Sequence, residues 1–414
     1  MRRRPPGPAP GAAGGMTVEV QRSPMPSFLS AYLQYAGLSV APRIFHLWSG
    51  LSAMAAAVAD RVWIDSHSSQ LPPNLYAFLI GPSGIGKGVA IHTAMRLLDA
   101  AGVTRLYNGM LTAQHLCDLL GSRATKHLAP KVLLVTEELS LSIGDKVLAD
   151  RLLRLATKLY ECTPYDFVEG TRTHGTVTFR GHVINWLAGT TQEWLRDSVP
   201  RSAIEGGFFA RVNAIVCPDL LRRITRPALD LTVFDALVQR LQEYTMLAGP
   251  MVMDAQADAV YWDWYEQRPL PPEPILEPVW ARVPIHVLKL AMLLSLSDSL
   301  SMVIEERHVT QARLLAEESL RHLPALIEFV ALTPETDGMR LVREAIRRAG
   351  ALHHTPLMRK MIAHGLSGDD VRRHVDTLVQ GGLVERTPGT RQEYTWLGKV
   401  RLEDVPDDDG GSQG

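Results

Sequence analysis

The sequence predicts an α/β fold: a parallel sheet, an all-helical region after it, and a small C-terminal unit of helices and two strands. Three observations carry this. Residues 81–88 read Gly-Pro-Ser-Gly-Ile-Gly-Lys-Gly, directly after the apolar run Leu75–Ile80. Strand-length apolar runs then alternate with helical periodicity as far as Pro218. From about Leu229 to Leu332 the periodicity is helical, and shorter elements return only after Asp337.

Length and composition set the frame. A chain of 414 residues suggests two or three domains. An apolar fraction of 46% is ordinary for a globular protein. The net charge of −1 excludes a global pull toward nucleic acid, so such binding must use local patches. Cys117, Cys162 and Cys217 match no metal spacing and read as buried thiols in a reducing, cytoplasmic compartment. No uninterrupted apolar span of membrane length stands out. Met1–Gly15 starts basic but lacks the apolar core of a signal peptide, and residues 1–26 read as disordered.

The elements follow in order. Residues 27–73 read as a helical segment, with Phe45, Leu47, Trp48 and Leu51 on one apolar face. The core, 74–228, offers strands at Leu75–Ile80, Val103–Tyr107, Val132–Val135, Val183–Ala188 and Arg211–Cys217. A helix is expected after the phosphate loop, over Gly86–Leu98, and another over Leu148–Tyr160. Between the latter and the fourth strand, Phe167–Glu169 and Thr176–Phe179 predict a hairpin turning through residues 170–175. Residues 229–336 form a helical lid, broken by the Pro-rich stretch 267–278. Residues 337–400 give helices Leu341–Ala349, Pro356–Ala363 and Gly368–Gln380, then strands Leu383–Arg386 and Glu393–Leu397. That is the plan of a winged helix. The tail 401–414 is acidic and Gly-rich, and is expected to be disordered.

The segment 81–88 matches a phosphate-binding loop. Gly81, Gly84 and Gly86 let the backbone approach a phosphate closely. Pro82, Ser83 and Ile85 complete the loop, whose turned N–H groups and following helix N-terminus favour anions. Lys87 supplies a full positive charge to the β- and γ-phosphates. The pattern wants a hydroxyl next, to ligate Mg²⁺; here that residue is Gly88.

Hydrolysis also needs carboxylates at the end of a neighbouring strand, where ligands bind in open α/β sheets. Lys131–Thr136 followed by Glu137 and Glu138 meets this need. Glu137 takes the metal-side position and Glu138 the position that polarises an attacking water. The next strand ends in Ala188-Gly189-Thr190-Thr191, with Thr191 the first candidate to sense the γ-phosphate and Thr190 the second. Gly206–Asn213 places Arg211 beside Phe208 and Phe209, as a candidate arginine finger toward a neighbouring subunit.

In this order, the motifs resemble AAA+ ATPases, more narrowly the minichromosome-maintenance-like helicases. They are also similar to the phage- and plasmid-borne primase/helicase-type proteins of mobile elements. The resemblance covers about 27–332, with the winged helix in the expected C-terminal place. It implies an AAA+ P-loop parallel sheet with helical lid, and ATP and Mg²⁺ as cofactors. It further implies a homo-oligomer, a hexameric ring with ATP at the subunit interfaces. Arg282 matches the place of a second sensor arginine. The hairpin turn with Arg172 and His174, flanked by Arg180, matches a pore hairpin that contacts DNA. Three departures stand out: Gly88 replaces the hydroxyl, Glu137 replaces Asp, and no primase domain or N-terminal DNA-binding collar is evident.

The C-terminal unit adds a charge argument. Residues 339–400 hold eleven Lys and Arg against six carboxylates, a local balance of +5. That suits phosphate contact through Arg372 and Arg373 on the third helix and Arg391 in the wing. The function these features favour is an ATP-dependent, oligomeric DNA helicase or translocase of a mobile-element or phage replication system. It would meet other replication or recombination proteins and no membrane. The alternative is an ATP-switch loader or targeting factor that assembles on DNA and recruits a partner without unwinding. A regulator whose winged helix reads an operator is the third class.

Overall fold

A computed structural model describes residues 27–37, 39–66, 69–103, 106–126, 129–139, 143, 146–171, 175–200, 203, 206–218, 230–271, 276–331, 334–387 and 392–397. The fold is α/β with a parallel sheet. It divides into two compact units, Met1–Ile327 and Glu328–Gly414.

The first unit opens with two helices. α1 (Phe28–Ala36) starts at Ser27, whose hydroxyl accepts from the Ser30 N–H. α2 (Arg43–Val58) begins directly after Pro42 and is buried along almost all its length. Its run Ala53–Val58 is small enough to let the helix lie close against its neighbours. A short antiparallel pair follows, β1 (Val62–Asp65) with β2 (Gln70–Leu71).

The sheet elements come next: β3 (Tyr76–Ile80), α3 (Lys87–Ala100), β4 (Leu106–Asn108), α4 (Ala113–Thr125), β5 (Lys131–Thr136) and α5 (Lys146–Leu159). A hairpin of β6 (Asp166–Thr171) and β7 (Gly175–Arg180) is inserted before β8 (Val183–Thr190). α6 (Gln192–Ser198), a 3-10 turn (Phe209–Arg211) and β9 (Val212–Val216) complete the series. Five strands form one parallel sheet in the order β4-β5-β8-β3-β9. β3 and β8 are buried at every residue, as expected of a parallel sheet covered on both faces.

This order differs from the order in sequence, and the difference matters. β8 lies between β3 and β5, so the end of β8 separates the glycine-rich loop 81–86 from the acidic pair. Ile80 pairs with Thr190 and Val216, and Thr136 pairs with Ala188. All these strands therefore run out at one edge.

The rest of the unit is mainly helical: α7 (Leu231–Met246), α8 (Ala255–Glu266), α9 (Glu277–Asp298) and α10 (Glu306–Arg321). Two short parallel pairs tie it down, β10 (Gly249–Pro250) with β1, and β11 (Val252–Met253) with β12 (Val303–Ile304). One continuous core holds Phe45, Trp48 and Leu51 of α2, Leu97 of α3, Leu241 of α7 and Leu290 of α9. The N-terminal helices, the sheet and the helices that follow it thus share their apolar interior. α9 is long and apolar enough to cross a membrane by length and composition, a span the sequence reading does not find. In the fold it is a core helix, with 72% of its most apolar window buried.

α11 (Leu323–Ala331) contains the boundary between units. The second unit holds α12 (Pro334–Ala349), β13 (Ala351–His353), α13 (His354–Ala363), α14 (Gly368–Gln380), β14 (Val384–Arg386) and β15 (Glu393–Trp396). Its strands form an antiparallel sheet in the order β13-β15-β14. Val342, Ile346, Leu357, Val371, Val375 and Tyr394 meet in its core.

Some element limits differ from the sequence reading. β8 runs two residues further, to Thr190, because its buried pairing with β3 continues that far. Arg211 sits in a 3-10 turn ahead of β9 rather than in the strand. β4 begins at Leu106, and β13 is a strand that periodicity did not reveal.

Candidate functional site

The loop from Gly81 to Gly86 joins β3 to α3. Gly84 and Gly86 hold φ of 82° and 96°, values that favour glycine, and Gly86 is the N-cap of α3. A side chain at Gly86 would also run into the backbone of Ala41. Lys87 is buried, and its Nζ donates to the carbonyls of Gly81 at 2.7 Å and Pro82 at 3.0 Å. The ammonium is thus curled over the loop that the sequence assigns to phosphate. Burial lowers the Lys87 pKa, opposed by the charges of Glu138 and Glu193.

Glu137 follows β5 directly. Its Oε1 lies 2.6 Å from His92 Nε2 and accepts from Asn108 Nδ2 at 3.4 Å. His92 is on α3, one turn beyond Gly88, and Asn108 ends β4. A Cβ placed on Gly88 would stand 3.9 Å from Glu137 Oε2. Gly189 explains the closeness: a Cβ there would fall far inside contact distance of the Glu137 carbonyl oxygen, and 3.4 Å from Lys87 Cβ. Only glycine lets β8 pass between the lysine and the carboxylates at this spacing.

Thr190 ends β8 beside the loop and Thr191 follows it; the Gly81 N–H donates to the Thr190 carbonyl at 3.1 Å. Thr190 is buried, and its hydroxyl donates to the Thr191 carbonyl. Thr191 caps α6, accepting from the Trp194 N–H at 3.2 Å. A hydroxyl that accepts one hydrogen bond retains its proton to donate.

The two candidate arginines lie elsewhere. Arg211 precedes Val212, which pairs with Tyr76 at the start of β3. It therefore occupies the sheet edge opposite the glycine-rich loop of its own chain. Arg211 donates to Glu161 from Nε at 3.0 Å and from Nη2 at 2.6 Å, and to the Gly207 carbonyl from Nη1 at 2.8 Å. Arg282, on α9, reaches the same Glu161 oxygen at 2.7 Å. Burial pushes the Glu161 carboxyl up, but Arg282 and Arg211 outweigh it and hold it below its ordinary value.

A cavity of about 230 Å³ opens beside the loop, lined by Leu33, Val40, Ala41, Pro42, Arg43 and His46. It is smaller than the range of about 300–1,000 Å³ usual for drug-sized ligands. The His46 Nε2 lies 2.5 Å from Ser39 Oγ, and burial lowers its pKa to about 4. His46 is therefore neutral at physiological pH.

The hairpin β6–β7 forms as expected, with Phe167 stacked on Phe179 at 5.0 Å and Gly121 of α4 pressed against Val177. Arg180 donates to the Pro164 carbonyl at the hairpin base. The turn residues Arg172 and His174, and Arg391 of the second unit, lie outside the described residues. On α14, Arg372 and Arg373 pair with Asp369 and Asp370, one turn earlier.

No protein-family model matches the sequence, and no curated protein shows significant similarity to it. Sequence reasoning missed His92, Asn108 and Glu161. Only the fold brings them to Glu137 and to the arginines, from 45, 29 and 50 or more residues away along the chain.

Proposed function

We propose that the chain is an AAA+ P-loop ATPase with a C-terminal winged helix, acting as an oligomeric, DNA-dependent motor. One observation carries this reading. The β4-β5-β8-β3-β9 order sets the loop with Lys87, the Thr190-Thr191 end of β8 and the Glu137-Glu138 end of β5 side by side at one edge. Ligands of open parallel sheets bind at that carboxyl edge. The cavity next to Ala41 offers a place for the base.

The residues have distinct parts to play. The loop N–H groups and Lys87 bind the phosphates, Lys87 exchanging its two carbonyl partners for phosphate oxygens. Glu138 accepts the proton of the attacking water, and Thr191 orients that water; Thr190, buried with its hydroxyl donated to the Thr191 carbonyl, is out of reach of it. The donors fit a hard divalent cation in part: Glu137 presents a carboxylate, but Gly88 presents nothing. Mg²⁺, when bound by Glu137, would neutralise charge on the β- and γ-phosphates.

Arg211 and Arg282 are turned away from their own chain's loop, so they would serve a neighbouring copy. That supports a ring, hexameric in this reading, with sites shared between subunits. The helix-strand-helix-helix-strand-strand order of the second unit supports the winged helix, with Arg372 and Arg373 toward DNA phosphates. The proposed setting is replication of a mobile element or phage in the cytoplasm, with replication or recombination proteins as partners. Gly88 favours one second reading, a slow ATP switch that assembles on DNA without unwinding it.

The test is ATP turnover with and without single- and double-stranded DNA, on wild type and Glu138→Gln. DNA-stimulated turnover with strand displacement, abolished by Glu138→Gln, supports the motor. Filaments or rings that need ATP but do not unwind support the switch. Absence of turnover, with equal behaviour of both proteins, rejects the assignment of Glu138.

A further inference from the structure

Gly88 and Glu137 are two departures from the usual loop-and-acid pattern, and they face each other. The hydroxymethyl that position 88 lacks would have pointed at the carboxylate that position 137 lengthens. A Cβ on Gly88 would lie 3.9 Å from Glu137 Oε2. A hydroxyl one bond further out would reach that oxygen at about 3 Å, a hydrogen bond. The carboxylate is also held at its other oxygen. His92 Nε2 at 2.6 Å and Asn108 Nδ2 at 3.4 Å both meet Oε1, leaving Oε2 on the side of Gly88. His92 lies four residues after Gly88 on α3, hence on the same helix face.

We infer that Gly88 and Glu137 are a compensating pair: the longer carboxylate, standing a hydrogen bond's length from the place of the missing hydroxyl, takes over its contact with the nucleotide-bound cation, with His92 and Asn108 as its positioning residues. The inference rests on the proposed nucleotide site. Its physical logic is reach. Aspartate at 137 would stop one methylene short, with no hydroxyl at 88 to complete the set. Serine at 88 together with aspartate at 137 would supply by the hydroxyl the contact that the shorter carboxylate loses. Loss of a partner that orients a ligand costs about 10–100-fold in metal affinity, so the positioning pair is also measurable.

The experiment measures Mn²⁺ affinity by electron paramagnetic resonance in the presence of ATPγS, on the full chain. ATPγS affinity in EDTA is measured alongside. Glu137→Asp is expected to weaken Mn²⁺ by about tenfold or more, and His92→Ala by about tenfold, with binding in EDTA unchanged. The double variant Gly88→Ser/Glu137→Asp is expected to return to within about threefold of wild type. The compensation is overturned if Glu137→Asp binds Mn²⁺ as wild type does, or if the double variant is no better than Glu137→Asp. Unchanged affinity in His92→Ala overturns the positioning role. Failure of wild type to bind ATPγS, with or without metal, overturns the nucleotide reading itself, and is distinguishable from all of these.

Discussion

Arg211 and Arg282 come from distant parts of the chain and meet on one carboxylate, Glu161. Neither lies at its own chain's phosphate loop. If they serve a neighbouring copy, Arg211→Ala should reduce turnover by about a thousandfold while nucleotide binding by the single chain is kept. Turnover equal to wild type would remove Arg211 from the site. Glu161→Gln should cost about 1 kcal/mol of stability, a modest figure because the pair is partly exposed and screened. Because the folded-state Glu161 pKa is lowered, its contribution is present at neutral pH. It is lost as pH falls below the ordinary carboxylate value of 4.5. Acid unfolding of the Gln variant should be correspondingly less steep, as read by circular dichroism.

Gly189 is expected to tolerate no side chain. Its Cβ would meet the Glu137 carbonyl oxygen and Lys87 Cβ, so Gly189→Ala must push β8 away from both. Overpacking of this kind costs about 1–3 kcal/mol. Chemical denaturation should show that loss, and nucleotide affinity should fall with it.

Lys289 sets a pH signature in the core. It is buried on α9, bonded to Asn74 Oδ1 and lying 3.9 Å from the centre of the Tyr160 ring. Burial lowers its pKa from 10.5 to about 8. The unfolded chain keeps that proton to higher pH than the folded one, so the contribution of Lys289 to stability rises as pH goes from 8 toward 10. The gain is on the order of 2 kcal/mol. The gap in denaturation midpoint between wild type and Lys289→Met should shift in favour of wild type by that amount over this range, against the opposite pull of the buried Cys117 and Cys162 thiols common to both proteins.

What the sequence made legible was contiguous. The loop at 81–88, the acidic end of β5 and the hairpin at 166–180 each sit within a few residues, so local spacing was enough. The strand order was not local: nothing in Val183–Thr190 says that it will lie between Tyr76–Ile80 and Lys131–Thr136. The same holds for His92 against Glu137 and for Glu161 between two arginines, since each contact depends on how distant elements pack. Thr191 was ambiguous for another reason. A threonine before a helix reads equally as a cap and as a sensor, and in the fold it does cap α6. Ala351–His353 is too short and too exposed to leave a period-2 pattern.

Arg372 and Arg373 allow the DNA reading to be weighed separately. Both are exposed and paired with carboxylates of the same helix, pairs that are weak in water and exchange readily for phosphate. Replacing both by alanine should lower DNA affinity across sequences and reduce the slope of log affinity against log salt by about 2. An unchanged slope would assign this helix to protein contact instead.

Everything proposed for this site depends on Gly81–Lys87 binding the phosphates of a nucleoside triphosphate. Equilibrium titration of ATP into wild type and Lys87→Ala tests it most directly. The account predicts saturable binding by wild type and a loss of at least about tenfold, some 1.4 kcal/mol, in Lys87→Ala. Equal affinity in the two proteins, or no binding by either, would contradict it.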